Sequence, residues 1–455
     1  MNRCTLIYAL ALLLVFLPGG PAASAQYRTG VYRDLDDSET VAAMKRHVGY
    51  LASAALEGRA AGSEGERLAA EYVGQVLDGY GVDVISGREG DLFGMKLSES
   101  DTLTSRNVIG FVQGWDKELR DRYIVVGARL DNLGTTRLVQ DGEAREMIYT
   151  GANGNASGLA VMLELARMVA TNRVQCRRSV LFVAFGASEL ANAGSWYFLN
   201  RSFVKDAGAI DAMVNLDMLG TGYAGFYAFT SSNADLNTYA ARLKGTLQPV
   251  FPEITAEEPY PSDHRSFYAA GIPSVFFTTG RYSEHDSWND TPDILDYEGM
   301  ERELEYIFSY TVALACGEKP LFRPGSARES RGRDAATVSY FECDARPTFL
   351  GSANPDTFMR KWVYQYLRYP SDAVSEGVQG NVVVDFVIDQ RGKVTDARIR
   401  RGVDDRLDAE ALRVIKASPD WKPGRKNGKK VRTELSVTVE FRLEKRGSGK
   451  LKLKK

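Results

Sequence analysis

The chain has 455 residues, is 44% hydrophobic and 10% aromatic, and carries a formal net charge of −2. That length exceeds one ordinary domain, and that apolar content excludes a wholly disordered chain, so two domains with buried cores are expected. Charge is unevenly spread: residues 356–455 hold 24 Lys and Arg against 14 Asp and Glu, whereas residues 1–355 hold 33 against 45. The asymmetry argues for two independent modules.

At the amino end, Arg3 precedes the apolar run TLIYALALLLVFL, followed by PGGPA and Ala23-Ser24-Ala25. A basic start, an apolar core and a small-residue site are the pattern of an export signal, spanning 1–25 and cut before Gln26. A membrane span would need roughly 20 apolar residues, and this run breaks earlier, at Pro18-Gly19-Gly20. The expected location is therefore the periplasm or the exterior, with no membrane span after cleavage. Once Cys4 leaves with the signal, Cys176, Cys316 and Cys343 remain. An odd set allows at most one disulfide; Cys316–Cys343 and three free thiols are both open.

Residues 26–318 are expected to form the first domain. Its lead-in contains SAALEGRAAGSEGERLAAEYV, read as helices before a sheet. From Asn107 to Thr279, apolar runs (NVIGFVQG, YIVVGARL, SVLFVAFG, AMVNLDM, FYAFT, SVFFTT) alternate with helical patterns. In SGLAVMLELARMVA, residues Leu159, Met162, Leu163, Ala166 and Val169 share one face, with Glu164 and Arg167 away from it. Near-continuous β-branched runs joined by such helices predict an α/β domain with a mixed, mostly parallel sheet flanked by helices. Ligands gather outside the carboxyl ends of such strands, where this sequence places Arg129-Leu130-Asp131, Ser188-Glu189 and Leu216-Asp217.

Residues 319–353 include RPGSARESRGRD and read as a linker. Residues 354–445 follow as a small α+β domain: a helix over TFMRKWVYQYLRYP, strands NVVVDFVID and VTDARIRR around the turn QRGK, a helix over LDAEALRVIKAS, and a strand ELSVTVEFRL. A basic tail, 446–455, closes the chain and reads as a solvated segment.

Six ordered blocks, YIVVGARLDNLG, YTGANGNASGLA, VLFVAFGASEL, MVNLDMLG, SDHRSFYAAGIPSVFFTTG and DTPDILDYEGM, resemble the co-catalytic di-zinc aminopeptidase and glutamate carboxypeptidase family over about residues 105–315. The resemblance implies two zinc ions, one bridging carboxylate, a His and a carboxylate completing each ion's shell, and a Glu acting as general base. Carried over residue by residue, most of these positions have changed. Arg129 stands where the resemblance implies a zinc-binding His, with Asp131 as its orienting carboxylate; Gly154 replaces the bridging Asp, and Ser188 the general base. Glu189 and Asp217 remain as ligand carboxylates, and Asp286 takes the last His position, one residue from His285.

A guanidinium offers a metal no lone pair, glycine has no donor, and serine does not collect a proton from water at neutral pH. The expectation is a pseudo-peptidase with no catalytic residue and no cofactor. In the alternative, an active metallo-aminopeptidase with an atypical or single-metal site, zinc would be held by Glu189, Asp217 and His285, with Asp131 nearby. Arg129 is expected to lie in place of a metal, offsetting Asp131, Glu189 and Asp217. His264 is read as a packed imidazole.

In the small domain, Tyr369-Pro370, Gly377-x-x-Gly380, Asp389-x-x-Gly392, Leu407-Asp408-x-Glu410-Ala411 and Trp421-x-Pro423-Gly424 closely resemble the C-terminal domain of TonB over about residues 360–443. That resemblance implies binding of an outer-membrane or other envelope protein by strand addition. A peptide ligand is expected for the first domain. Nucleic acid is not expected as a partner.

Overall fold

A computed structural model of the protein describes residues 37–96, 102–140, 143–202, 207–222, 225–231, 233–256, 258–323, 337–340, 343–445 and 451–453. The expected signal segment lies outside them. The chain divides into Met1–Ser38 and Glu39–Lys455, and every element below belongs to the second unit. Among the described residues no helix is long and apolar enough to cross a membrane.

The first domain is built on one nine-stranded sheet. Its strands are β1 (Asp83–Val84), β2 (Asp91–Lys96), β3 (Thr102–Val112), β4 (Tyr123–Arg129), β7 (Ser179–Phe185), β8 (Ile210–Leu216), β9 (Tyr227–Phe229), β10 (Glu253–Thr255) and β11 (Ser274–Thr278). The order is β1-β3-β7-β4-β8-β11-β9-β10, with β2 beside β3. The sheet is mixed: β7, β4, β8 and β11 pair in parallel, while β3 against β7 and β9 against β11 are antiparallel. Parallel pairing is thus confined to the centre and the outer β9–β10 pair. Every residue of β7, β8 and β11 is buried, as expected when helices cover both faces.

One layer comprises α1 (Glu39–Leu51), α2 (Glu64–Gly79), α3 (Ser157–Thr171), α5 (Ala234–Leu243) and α7 (Tyr297–Cys316); α4 (Ala193–Arg201) and α6 (His264–Ala269) lie on the opposite face. Glu164, on the side of α3 away from its apolar stripe, is also wholly buried. It is bound there by Tyr80 Oη at 2.7 Å, Arg167 Nε at 2.8 Å and His47 Nε2 at 3.3 Å. The surrounding helices close over that face, so the charge is kept by partners rather than water.

A hairpin, β5 (Thr135–Gln140) with β6 (Glu143–Ile148), projects between β4 and α3. The second domain has the sheet order β12-β17-β13-β14, from β12 (Thr337–Ser339), β13 (Gly380–Ile388), β14 (Val394–Arg401) and β17 (Arg432–Phe441), with β15 (Arg425–Lys426) and β16 (Lys429–Lys430) forming a small hairpin. β13 is antiparallel to both β14 and β17. The helix α8 (Asp405–Lys416) buries Leu407, Ala411, Val414 and Ile415. Gly392 turns the chain between β13 and β14 at φ +93°, where a Cβ would stand 1.9 Å from the Trp421 carbonyl oxygen; no other residue fits.

One expectation changes. Residues 337–353, read as linker, belong largely to the second domain: β12 pairs in parallel with β17, and Tyr340 and Phe349 join its core. Of the tail, β19 (Leu451–Leu453) pairs antiparallel with β18 (Leu443–Lys445). Between the two cysteine readings left open, the structure has free thiols, with no disulfide linking Cys176, Cys316 and Cys343; Cys316 ends α7, whereas Cys343 lies in the second domain beside Gly424 and Thr433.

Candidate functional site

Three parallel strands end at one cleft. β4 delivers Arg129 and the residues after it, β7 leads into Ser188 and Glu189, and β8 leads into Asp217. Parallel pairing brings these carboxyl ends side by side, which is why residues so far apart in sequence meet.

Arg129 lies at the centre, with side-chain exposure of 12%, paired with Glu189 and with its Nη2 3.4 Å from Asp217 Oδ1. A Cβ built on Gly154 would be 3.5 Å from Arg129 Nη2, so the guanidinium fills the space a side chain at 154 would enter. Burial alone would lower this group's pKa; Asp217, Asp131 and Asp286 outweigh it and hold it above its ordinary value. Asp217 also accepts from Ser262 Oγ at 2.8 Å. Asp286 is half-buried near the same cation, and desolvation raises its carboxyl, with Arg129 opposing. The imidazole of His285, next to it, is pushed down to about 3, first by burial and then by Arg129.

Asp131 does not reach the arginine as an ion pair. Its Oδ1 accepts from the Ser188 amide at 2.7 Å and its Oδ2 from the Glu189 amide at 3.0 Å, so it orients the loop after β7. Burial pushes its carboxyl up to about 6, with Arg129 opposing. Ser188 turns its Oγ to Asp263 Oδ2 at 2.8 Å. Burial pushes Asp263 up to about 7.

The turn before α3 rests on Asp290, whose Oδ1 accepts from the Asn153 amide at 2.8 Å and whose Oδ2 accepts from the Gly154 amide at 3.0 Å and Tyr282 Oη at 2.7 Å. On the other side Arg59, wholly buried, donates to the carbonyls of Leu51, Leu130, Thr150 and Gly151. Asp290, Asp263 and Arg59 were not singled out from sequence. Their only signal was charge set in apolar or turn-rich stretches. His264, by contrast, is packed as expected, with Nε2 2.8 Å from Glu258 Oε1 and its ring stacked on Phe276.

The second domain closes the cleft. Arg400 on β14 places Nη1 3.3 Å from Glu189 Oε2 and Nε 3.0 Å from Asp385 Oδ2. Arg398 bridges Asp385 and Glu434, at 3.1 Å from each. A small polar cavity remains, lined by Arg129, Glu189, Asp217, Ser262, Arg398 and Arg400 among others. Among the described residues, no group of three or more His, Cys, Asp or Glu side chains is placed to hold a metal ion.

Residues 107–311 match the pattern of Peptidase family M28, and residues 365–443 match that of the Gram-negative bacterial TonB protein C-terminal. The chain is 29% identical over 215 residues to Aminopeptidase YwaD of Bacillus subtilis (strain 168), covering 46% of this chain and 44% of that one. It is 26% identical over 277 residues to Leupeptin-inactivating enzyme 1 of Streptomyces exfoliatus, covering 60% and 57%. The chain thus spans about half the length of these curated relatives. Among solved structures, the aminopeptidase from Aneurinibacillus sp. strain AM-1 aligns with a TM-score of 0.47 at 19% identity, covering 63% of this chain and 96% of that one. The zinc aminopeptidase BSAP from Bacillus subtilis aligns with a TM-score of 0.48 at 16% identity, covering 64% and 100%. The chain joins a peptidase M28 domain to a TonB C-terminal domain.

Proposed function

We propose that this chain is a peptidase-like binding protein that neither holds catalytic zinc nor hydrolyses peptides. The observation that carries the reading is the position of Arg129. A cation that offers no lone pair is buried between Glu189 and Asp217, in the space in front of Gly154. The residues present do not fit a zinc ion. Zinc sites take neutral His, thiolate and carboxylate donors, and here the two best-placed carboxylates already pair with guanidinium. His285 is kept neutral and near its own Asp286, with Nδ1 3.3 Å from Oδ1. The position of a general base is Ser188, whose hydroxyl is committed to Asp263.

What remains is a scaffold for recognition. A peptide is the ligand that suits a cleft of this descent. The TonB-like sheet suits an envelope protein that adds an extended strand to one of its edges. Export is supported by the Arg3-led apolar run and Ala23-Ser24-Ala25; amino-terminal sequencing of the protein from its native cell should begin at Gln26.

The deciding experiment is zinc stoichiometry on the full chain after incubation with excess zinc and desalting, alongside hydrolysis of aminoacyl-arylamide substrates. Near-zero zinc and no hydrolysis are expected. One or two retained ions, lost on Glu189→Ala, with measurable turnover, would overturn the reading.

A further inference from the structure

Two carboxylates left in the cleft, Glu189 and Asp217, each pair with a guanidinium. Glu189 receives two: Arg129 from its own domain and Arg400 from β14, Nη1 to Oε2 at 3.3 Å. We propose that the cleft is now a guanidinium-binding site whose ligand is supplied in cis by Arg400, so that the second domain docks as a plug over the peptidase-like cleft. This deepens the reading above and rests on it, since a metal on Glu189 would compete for the same oxygens.

Three features support docking rather than chance contact. First, Arg400 is held ready for the cleft. Its Nε is bound by Asp385 at 3.0 Å, and Asp385 is itself buried and held by Arg398 at 3.1 Å. A planar guanidinium spans two carboxylates at once, Asp385 behind and Glu189 ahead, as a lysine ammonium does not. Second, both sides of the contact are largely withdrawn from solvent, with side-chain exposure of 16% for Arg400 and 10% for Glu189. A buried charge persists only when it is paired. Third, the contact is flanked along one line. Arg401 Nη1 donates to the Leu133 carbonyl at 2.7 Å, Tyr149 Oη to the Gly402 carbonyl at 2.9 Å, and Val139 and Gln379 exchange backbone hydrogen bonds of 3.1 and 2.9 Å. The β5–β6 hairpin therefore serves as the rim that receives the second domain.

Hydrogen exchange read by mass spectrometry on the full chain tests this. The amides of Val139 and Gln379 are protected by bonds that exist only when the domains are docked, so they report docking directly. Removing either partner of the Arg400–Glu189 pair, by Arg400→Met or Glu189→Gln, is expected to speed exchange at these two amides at least tenfold. The interior amides of β4 and β13 should stay within twofold of the parent. Arg400→Lys, which keeps the charge but not the fork, should fall closer to Arg400→Met than to the parent. The proposal is overturned if exchange at Val139 and Gln379 is already fast in the parent, if it is unchanged in both charge-removing variants, or if it rises equally through both sheet interiors. Retained zinc in the parent would sink the functional reading whatever these amides do; fast parental exchange would sink the docking and leave that reading standing.

Discussion

Asp263 lies behind the cleft with no solvent exposure, and the Ser188 hydroxyl donates to its Oδ2. Because burial pushes its carboxyl up to about 7, the native state holds this proton more tightly than the unfolded chain does. Folding therefore gains most where both states are protonated. That gain is lost as pH rises from about 4, the unfolded carboxyl's range, through about 7, and the loss is complete above it. At roughly 1.4 kcal/mol per tenfold change in proton affinity, the ceiling on this loss is about 4 kcal/mol. Asp263→Asn keeps an acceptor for Ser188 and removes the titration. The variant should be more stable than the parent at pH 8 by about 1–4 kcal/mol, and the gap should shrink to roughly a quarter of that at pH 4.5. Urea midpoints at the two pH values measure this, and parallel curves would count against it. Arg129→Met makes a complementary case: it strips the cation from Glu189 and Asp217, and breaking a buried pair in this way costs about 3–5 kcal/mol. An unchanged melting temperature would show that Arg129 is dispensable. Arg129, Gly154 and Ser188 were legible in sequence because each replaces a residue type the chemistry demands. Arg59 was not, because a buried arginine serving only backbone carbonyls leaves no mark in composition or spacing.

At the scale of elements, the turn TGANGNASG and the helix that follows were readable from their clustered Gly and Asn and from the apolar period of α3. The structure separates two glycines that look alike in sequence. A Cβ on Gly154 meets nothing closer than 3.4 Å, whereas one on Gly158 would stand 2.3 Å from Asn155 Oδ1 and 2.7 Å from the Leu216 carbonyl oxygen. That carbonyl ends β8 and accepts from Asn155 Nδ2 at 3.0 Å, so it does not yield. Gly154→Ala should change stability by less than about 1 kcal/mol, and Gly158→Ala should cost about 2–3 kcal/mol by overpacking. Denaturant midpoints of the two variants compare them directly, and equal costs would contradict the geometry. The β5–β6 hairpin was missed, although Asp141-Gly142 between two alternating runs is a hairpin signal. Its short polar strands resemble any surface loop, and what distinguishes them is contact with a domain some 240 residues away in sequence. The burial of Glu164 on α3 escaped for a related reason, since one helix's period does not show how many neighbours will cover it.

For the whole molecule, sequence revealed two domains with their order and descent, and misjudged how they meet. The charge asymmetry suggested independence, yet the basic strand β14 spends Arg400 and Arg401 on partners in the first domain. Alternating arginines on a strand look the same in sequence whether they face water or an acidic cleft. The two cores remain separate: one is organised on the large sheet, the other around Phe358, Phe386, Trp421 and α8. Between them run polar contacts, as is common where domains of one chain meet. Two cores joined by such an interface should melt in two steps, with the smaller domain unfolding first because it buries less of its surface. Tyr149→Phe tests the coupling without touching an ion pair. It removes the hydroxyl that donates to the Gly402 carbonyl at 2.9 Å and leaves the ring under Arg401. Losing that bond should cost the docked state about 1 kcal/mol, which for a domain of this size lowers its melting temperature by about 4–8 °C. The transition of the larger domain should hardly move, since its sheet is not involved. Differential scanning calorimetry resolves the two, and a single transition that shifts as a whole would mean the domains fold as one cooperative body rather than as a seat and its plug.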